Sequence, residues 1–397
     1  MSLGYAYPTV RESTDPSEKK RGTRMGSHTA VHTTTGRFVL SRPHGSVSAQ
    51  GLRAQYDSVA AAEAALRSGE VPAIVGALPF STQAHCALSA PEVFTVTQQA
   101  WSPKSECPSL PTFVLADPLD DGEHTDRVRT ALDVLREPST PLQKVVLART
   151  LTLIADGTVD PTAVLAALIA GTPERNGYCV DLSAAGGPYI GRTLVGSSPE
   201  VLVRRRGTVV TCHPLAGSAP RHPDAARDRQ NGRSLTESDK DRREHAFVVD
   251  AIRDSLAPFC SELDIPPEPT LAHTPQLWHL GTPIRGELRD PSTTALDLAR
   301  ALHPTPAVCG TPTDLAYRTI EELEGERGFY AGAVGWCTAD GDGEWMVAIR
   351  CAEISSDRKR MTAYAGGGIV AESDPDTELR ETVTKFGTLL GALGVAL

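Results

Sequence analysis

The chain has 397 residues, 40% of them hydrophobic and 22% charged, with a formal net charge of −10. That is long enough for one large or two ordinary domains and needs no disulfide staples to fold. The negative balance excludes nucleic acid and anionic membrane as principal partners, since both require a basic face, but leaves room for an anionic small substrate held by a local cluster of Arg and Lys. The eight cysteines show no C-x-x-C spacing and read as reduced, buried side chains. No apolar run reaches the ~18 residues of a membrane span, and the N-terminus lacks the apolar stretch of a signal peptide. The expected location is the cytoplasm.

In chain order, residues 1–34 are polar, include the basic run Glu18-Lys19-Lys20-Arg21, and read as a disordered leader whose charges are solvated. Order is expected from Phe38-Val39-Leu40, with residues 35–397 forming the catalytic domain. Lys144 to Leu153 is β-rich and ends at Asp156-Gly157, which predicts a strand. Val201–Val203 and Thr208–Thr211 flank Arg206-Gly207. Ala331–Cys337 and Trp345–Cys351 flank Asp340-Gly341-Asp342-Gly343. Both read as hairpins, the second more strongly. Consecutive hairpins with interspersed helices predict an α+β fold of mostly antiparallel sheet, not a doubly wound parallel one. Ile265-Pro266-Pro267-Glu268-Pro269 reads as a loop.

Two helices carry carboxylates close to their inward faces. The first is predicted from about Glu237 to Ala257, with Val248, Val249, Ile252 and Leu256 on its apolar stripe. Continued backward, the stripe meets His245, Glu244 and Asp241. The second begins after Ser373-Asp374-Pro375, where Asp374 suits the N-cap and Pro375 the first helical position. Its stripe is Leu379, Val383, Phe386, Leu390 and Leu393, flanked by Glu378, Glu381 and Lys385 at spacings of three and four. Just before it, Ala363 to Val370 holds three consecutive glycines, suited to close approach of a ligand to free backbone N–H groups. Carboxylates from two helices are oxygen donors for a hard cation, which favours Mg²⁺. Zinc is disfavoured, because no paired Cys or His-x-x-x-His is present.

Seven segments in order carry a resemblance: Lys144 to Arg149, Gly196 to Glu200, His213 to Ser218, Glu244-His245, Leu277 to Leu280, Leu302 to Pro306, and Ala365 to Val370. Together they resemble the chorismate-utilising enzymes, over about residue 37 to the end and most strongly after residue 140. The resemblance implies one domain of two large packed, mostly antiparallel sheets with helices outside and a cleft between. It implies Lys144 as the base that activates water and Glu200 as the acid that protonates the departing oxygen. It further implies Glu244 and Glu381 as Mg²⁺ ligands, with Glu378 close by. Arg350 and Lys385 would hold substrate carboxylates, and Gly217, Ser218, His279, Tyr330 and Gly368 would make further substrate contacts. His303 reads as structural.

Within that family the ammonia-using branch carries Gln where this chain has Lys144, so the resemblance implies water as nucleophile. The branch with a nucleophilic lysine has it where this chain has Ala216. Pro304 to Gly310, Gly335-Trp336-Cys337 and Gly343-Glu344-Trp345 resemble the isochorismate branch. Tyr330 resembles the salicylate branch, which also eliminates pyruvate. The expected reaction is Mg²⁺-dependent isomerisation of chorismate to isochorismate. The alternatives are salicylate formation and a binding-only relative. A monomer serving siderophore biosynthesis is expected by analogy alone.

Overall fold

The computed structural model describes residues 36–103, 107–116 and 121–395. The predicted leader lies outside them. Thr35–Leu397 forms one compact unit. Among the described residues there are three sheets, of ten, nine and three strands, and every pairing is antiparallel. The inner faces of the two large sheets share one hydrophobic core, which includes Phe38, Leu40, Val145 and Leu147 from the first and Ile74, Leu78, Val210 and Trp345 from the second. Helices Pro161–Ala170 and Pro375–Leu393 cover the other face of the ten-stranded sheet through a second core containing Leu165, Ile169, Phe386 and Leu390. The predicted α+β architecture holds, with the small third sheet as an addition.

The β-rich stretch from Lys144 forms the strand Lys144–Ala155, and residues 145–154 pair with 360–369 along their whole length. Burial in Arg360–Ile369 alternates residue by residue, the signature of a strand with unlike faces. The three glycines therefore lie in a strand. Val201–Arg206 and Val209–His213 form one predicted hairpin, and Ala333–Thr338 and Gly343–Val347 the other. The second does not continue to Cys351 as predicted. Cys351 opens Cys351–Ile354 in the other large sheet, and the chain crosses between sheets with Arg350 at a left-handed φ of 52°.

The first carboxylate helix spans Asp239–Leu256, with the Ser238 side chain accepting from Asp241 N. A separate helix, Ala225–Glu237, precedes it and was not evident from the sequence. The second spans Pro375–Leu393, capped by Asp374, which accepts from Thr377 N, and closed by Gly394 at φ 70°. Its buried face differs from the predicted stripe. Leu379 and Val383 are half-buried, while Glu378 and Thr382 are buried. No helix among the described residues is long and apolar enough to cross a membrane.

Candidate active site

A cleft opens beside the C-terminal half of the glycine strand. That strand pairs with Cys351–Ile354 only through Met361–Ala363. Beyond Ala363 its second edge has no strand partner in the sheet, and the Gly366 carbonyl accepts there from Lys385 Nζ at 2.9 Å. In an antiparallel strand the N–H and C=O of one residue point to the same side, and alternate residues agree. The amides of Gly366 and Gly368 therefore face the same open edge. The glycines also make room. A Cβ on Gly368 would lie 2.5 Å from Glu244 Oε1 and 2.8 Å from Lys144 Cε, and one on Gly366 would lie 2.8 Å from the Tyr330 hydroxyl.

Two sheet-to-sheet crossings build the opposite wall. Ser197–Glu200 carries the chain from Thr193–Gly196 in one large sheet to Val201–Arg206 in the other. Ala348–Arg350 carries it back. The crossings are tied together by Ser197 N donating to Arg350 O at 3.0 Å and Val347 N to Glu200 O at 3.1 Å. Glu200 and Arg350, 150 residues apart in sequence, are thereby set in one cleft. Burial pushes the Glu200 carboxyl up to about 7, against the pull of the Leu215 amide, Lys144, Arg350 and Lys385. Burial also holds Arg350 below its usual range. The third sheet supplies Gly217, Ser218 and His279, with Ser218 directly opposite His279 in the ladder. Burial, reinforced by Arg350 and Lys385, lowers His279 to about 3, so the ring is neutral.

Of the twelve predicted site residues, Glu200, Gly217, Ser218, Glu244, His279, Tyr330, Arg350, Gly368, Glu381 and Lys385 line this cleft. Lys144 and Glu378 stand just behind its wall, each against an acid or base of the site. Three carboxylate–lysine pairs result. Lys144 Nζ lies 3.0 Å from Glu244 Oε1, an ion pair without hydrogen-bond alignment. Lys240 Nζ lies 3.2 Å from Glu378 Oε1, and Lys385 bonds Glu381. Burial, then the neighbouring Glu381, raises Glu378 to about 7, partly offset by Lys240. Burial acts most strongly on Glu381 as well, but Lys385, with Ser218 and Lys240, outweighs it and holds that carboxyl below its usual value.

The acids fit a hard cation in kind, although no three His, Cys, Asp or Glu side chains among the described residues gather closely enough to enclose one. Mg²⁺ takes only one or two protein carboxylates and fills its shell with water and substrate oxygen. The mutual repulsion that raises Glu378 beside Glu381 is what a divalent ion would relieve.

Lys240 and Tyr364 went unrecognised in the sequence. Lys240 stands four residues before Glu244, one helical turn away, a spacing that could have marked it. Tyr364 stacks on Tyr330 with ring centroids 4.9 Å apart, a contact no local pattern announces. His245 lies outside the cleft lining. Its Nε2 meets Thr282 Oγ1 at 2.7 Å. His303, expected to be structural, is bound through Nε2 to the carbonyls of Pro79 and Phe80.

The two-sheet fold, with one cleft holding a carboxyl raised to about 7, buried lysines and an arginine, defines a class of enzyme acting on a small anionic substrate. The family model described as "chorismate binding enzyme" matches residues 81–394. Isochorismate synthase DhbC of Bacillus subtilis is 40% identical over 383 residues, which cover 91% of this chain and 94% of that one. A Mycobacterium tuberculosis protein with a provisional isochorismate synthase name is 49% identical over 372 residues, covering 94% of this chain and 100% of its own. The structure of MenF, the menaquinone-specific isochorismate synthase of Escherichia coli, superposes with a TM-score of 0.78 at 25% identity, covering 92% of this chain and 90% of that one. The chain belongs to the chorismate-binding enzymes.

Proposed function

We propose that the protein is an isochorismate synthase, converting chorismate to isochorismate by adding water at C2 and losing the C4 hydroxyl. One observation carries this reading. Glu200, held up to about 7, shares its cleft with Arg350 and Lys385. Hydroxide is a poor leaving group, and a carboxyl that is still protonated near neutrality can donate to it as it departs. Chorismate carries two carboxylates. Arg350 offers a planar fork and Lys385 a point charge for them.

Lys144 is assigned as the base. It is completely buried beside Glu244, and in this role it takes a proton from the attacking water. His279, neutral by burial, can donate or accept beside the ring without adding charge. Gly217, Ser218, Tyr330 and Gly368 shape the remaining walls.

Mg²⁺ would be held by Glu244 and Glu381, with Glu378 close by, and when bound would supply positive charge for a substrate carboxylate. A second reading, salicylate synthase, is favoured by Tyr330, which resembles that branch and whose ring lines the cleft. We further expect a cytoplasmic monomer and, by analogy, a place in siderophore biosynthesis.

The test is purified protein with chorismate, with and without Mg²⁺, and chromatography of the products. Isochorismate alone supports the proposal. Salicylate with pyruvate supports the second reading, and binding without turnover overturns both.

A further inference from the structure

Arg327 and Glu324 form a buried ion pair outside the cleft, with side chains 3% and 7% exposed. Arg327 Nε meets Glu324 Oε2 at 2.8 Å and Nη2 meets Oε1 at 2.9 Å. The rest of the guanidinium fork reaches two backbone carbonyls, Val308 at 2.9 Å from Nη1 and Val146 at 2.6 Å from Nη2. Glu324 Oε1 in turn accepts from the amide of Ala148 at 2.6 Å. On this edge the strand Lys144–Ala155 has strand partners at its two ends, Gly310 and Thr311 opposite Val145 and Lys144, and Phe113–Leu115 opposite residues 153–155. The ion pair therefore takes over the backbone groups where the short ladder at Gly310 and Thr311 stops.

What it holds is the cleft wall. Val146, Val308 and Tyr330 all line the cleft. The guanidinium carbon lies 5.9 Å from the Tyr330 ring centroid on one contact and 4.7 Å from that of Phe80 on another. One planar cation thus fixes the strand two residues beyond Lys144, the segment carrying Ala307 and Val308, and an aromatic wall. A lysine could not span these partners, because its single ammonium lacks the fork.

We propose that Arg327, locked by Glu324, is a positioning residue that sets Lys144 and the Ala307–Val308 wall in register with the rest of the cleft. It touches no reacting atom. The proposal rests on the assigned reaction only in using turnover as one of its readouts.

The test uses the full chain and the variants R327K, R327A and E324L/R327M, with wild type alongside. R327K is expected to keep its far-UV circular dichroism while kcat falls by roughly 10–100-fold and KM for chorismate changes little. Removing the cation alone leaves a buried carboxylate unpaired, so E324L/R327M, where no buried charge remains, serves as the second variant beside R327A. That double variant leaves the Val146, Ala148 and Val308 backbone groups without their side-chain partners, so it is expected to melt below wild type while keeping its far-UV circular dichroism and still showing the depressed kcat. A second cavity borders Arg327, so millimolar guanidinium is expected to restore kcat to R327A and not to the double variant. Wild-type kcat in R327K or in E324L/R327M overturns the proposal. If wild type forms no isochorismate, the proposed function fails while hydrogen exchange still decides this one. Faster exchange in R327K, confined to the peptide spanning Lys144–Arg149 and the segment paired with it, supports positioning, and unchanged exchange overturns it.

Discussion

Lys144 and Glu244 meet inside the protein, Nζ 3.0 Å from Oε1, with the lysine side chain wholly shielded from solvent and the glutamate reaching the cleft. The pair joins the long strand Lys144–Ala155 of the larger sheet to the first carboxylate helix. Removing one partner of such a pair costs about 3–5 kcal/mol when the other is left charged and unpaired. Lys144→Gln keeps a donor for Glu244, so it is expected to fold. Its kcat should fall by about 10²–10⁴, the usual share of a general base. Steady-state turnover with a melting curve checks this, and a near-normal rate would remove Lys144 from the mechanism.

Glu200 gives a pH prediction of definite sign. Its folded value stands at about 7 against an ordinary 4.5. Between those values the folded state binds more protons than the unfolded one, so the group's effect on stability worsens as pH rises across the interval. The full difference is about 3 kcal/mol. Glu200→Gln should therefore flatten the fall in melting temperature from pH 4.5 to 7 and stabilise the protein at pH 8. The same variant should lose turnover. In wild type kcat/KM should decline above about pH 7 as the acid ionises, and a rate that climbs steadily through that region would contradict the role.

Gly368→Ala places a methyl group 2.5 Å from Glu244 Oε1 and 2.8 Å from Lys144 Cε. Both side chains must shift, and a displacement of about 1 Å can cost 10²-fold in rate. Gly387→Ala is the control. That glycine lies in the helix Pro375–Leu393 with open space where a Cβ would go, and alanine should stabilise by about 0.5–1 kcal/mol. Comparable losses of activity in both variants would show that the tight fit at Gly368 is not what matters.

Glu381→Gln tests the cation. The substitution removes a ligand charge and frees Lys385 from its carboxylate partner. The Mg²⁺ concentration for half-maximal activity should rise tenfold or more, on the order of effects seen when metal sites are trimmed. Calorimetric titration of Mg²⁺ into the protein without substrate should weaken in parallel. Unchanged metal affinity would exclude Glu381 as a ligand.

What was legible in the sequence was local. Alternation and turn residues located the strand from Lys144 and both hairpins, because side-chain period and turn chemistry act over a few residues. Asp374 and Pro375 marked a helix start to the residue, because a cap is a contact within one turn. The resemblance supplied the candidate residues, and ten of the twelve line one cleft. Tertiary structure decided what those local signals face. The stripe of Leu379 and Val383 is half-buried and the acidic flank at Glu378 is buried, since the helix lays its first turns over the cleft and only its later turns over the apolar core. The three glycines belong to a strand edge, because their conformation is set by a partner strand more than 200 residues earlier. The pairing of Lys144 with Glu244 and the junction that joins Glu200 to Arg350 are likewise long-range. Such contacts follow from how sheets stack and cross, and periodicity along the chain carries no record of them.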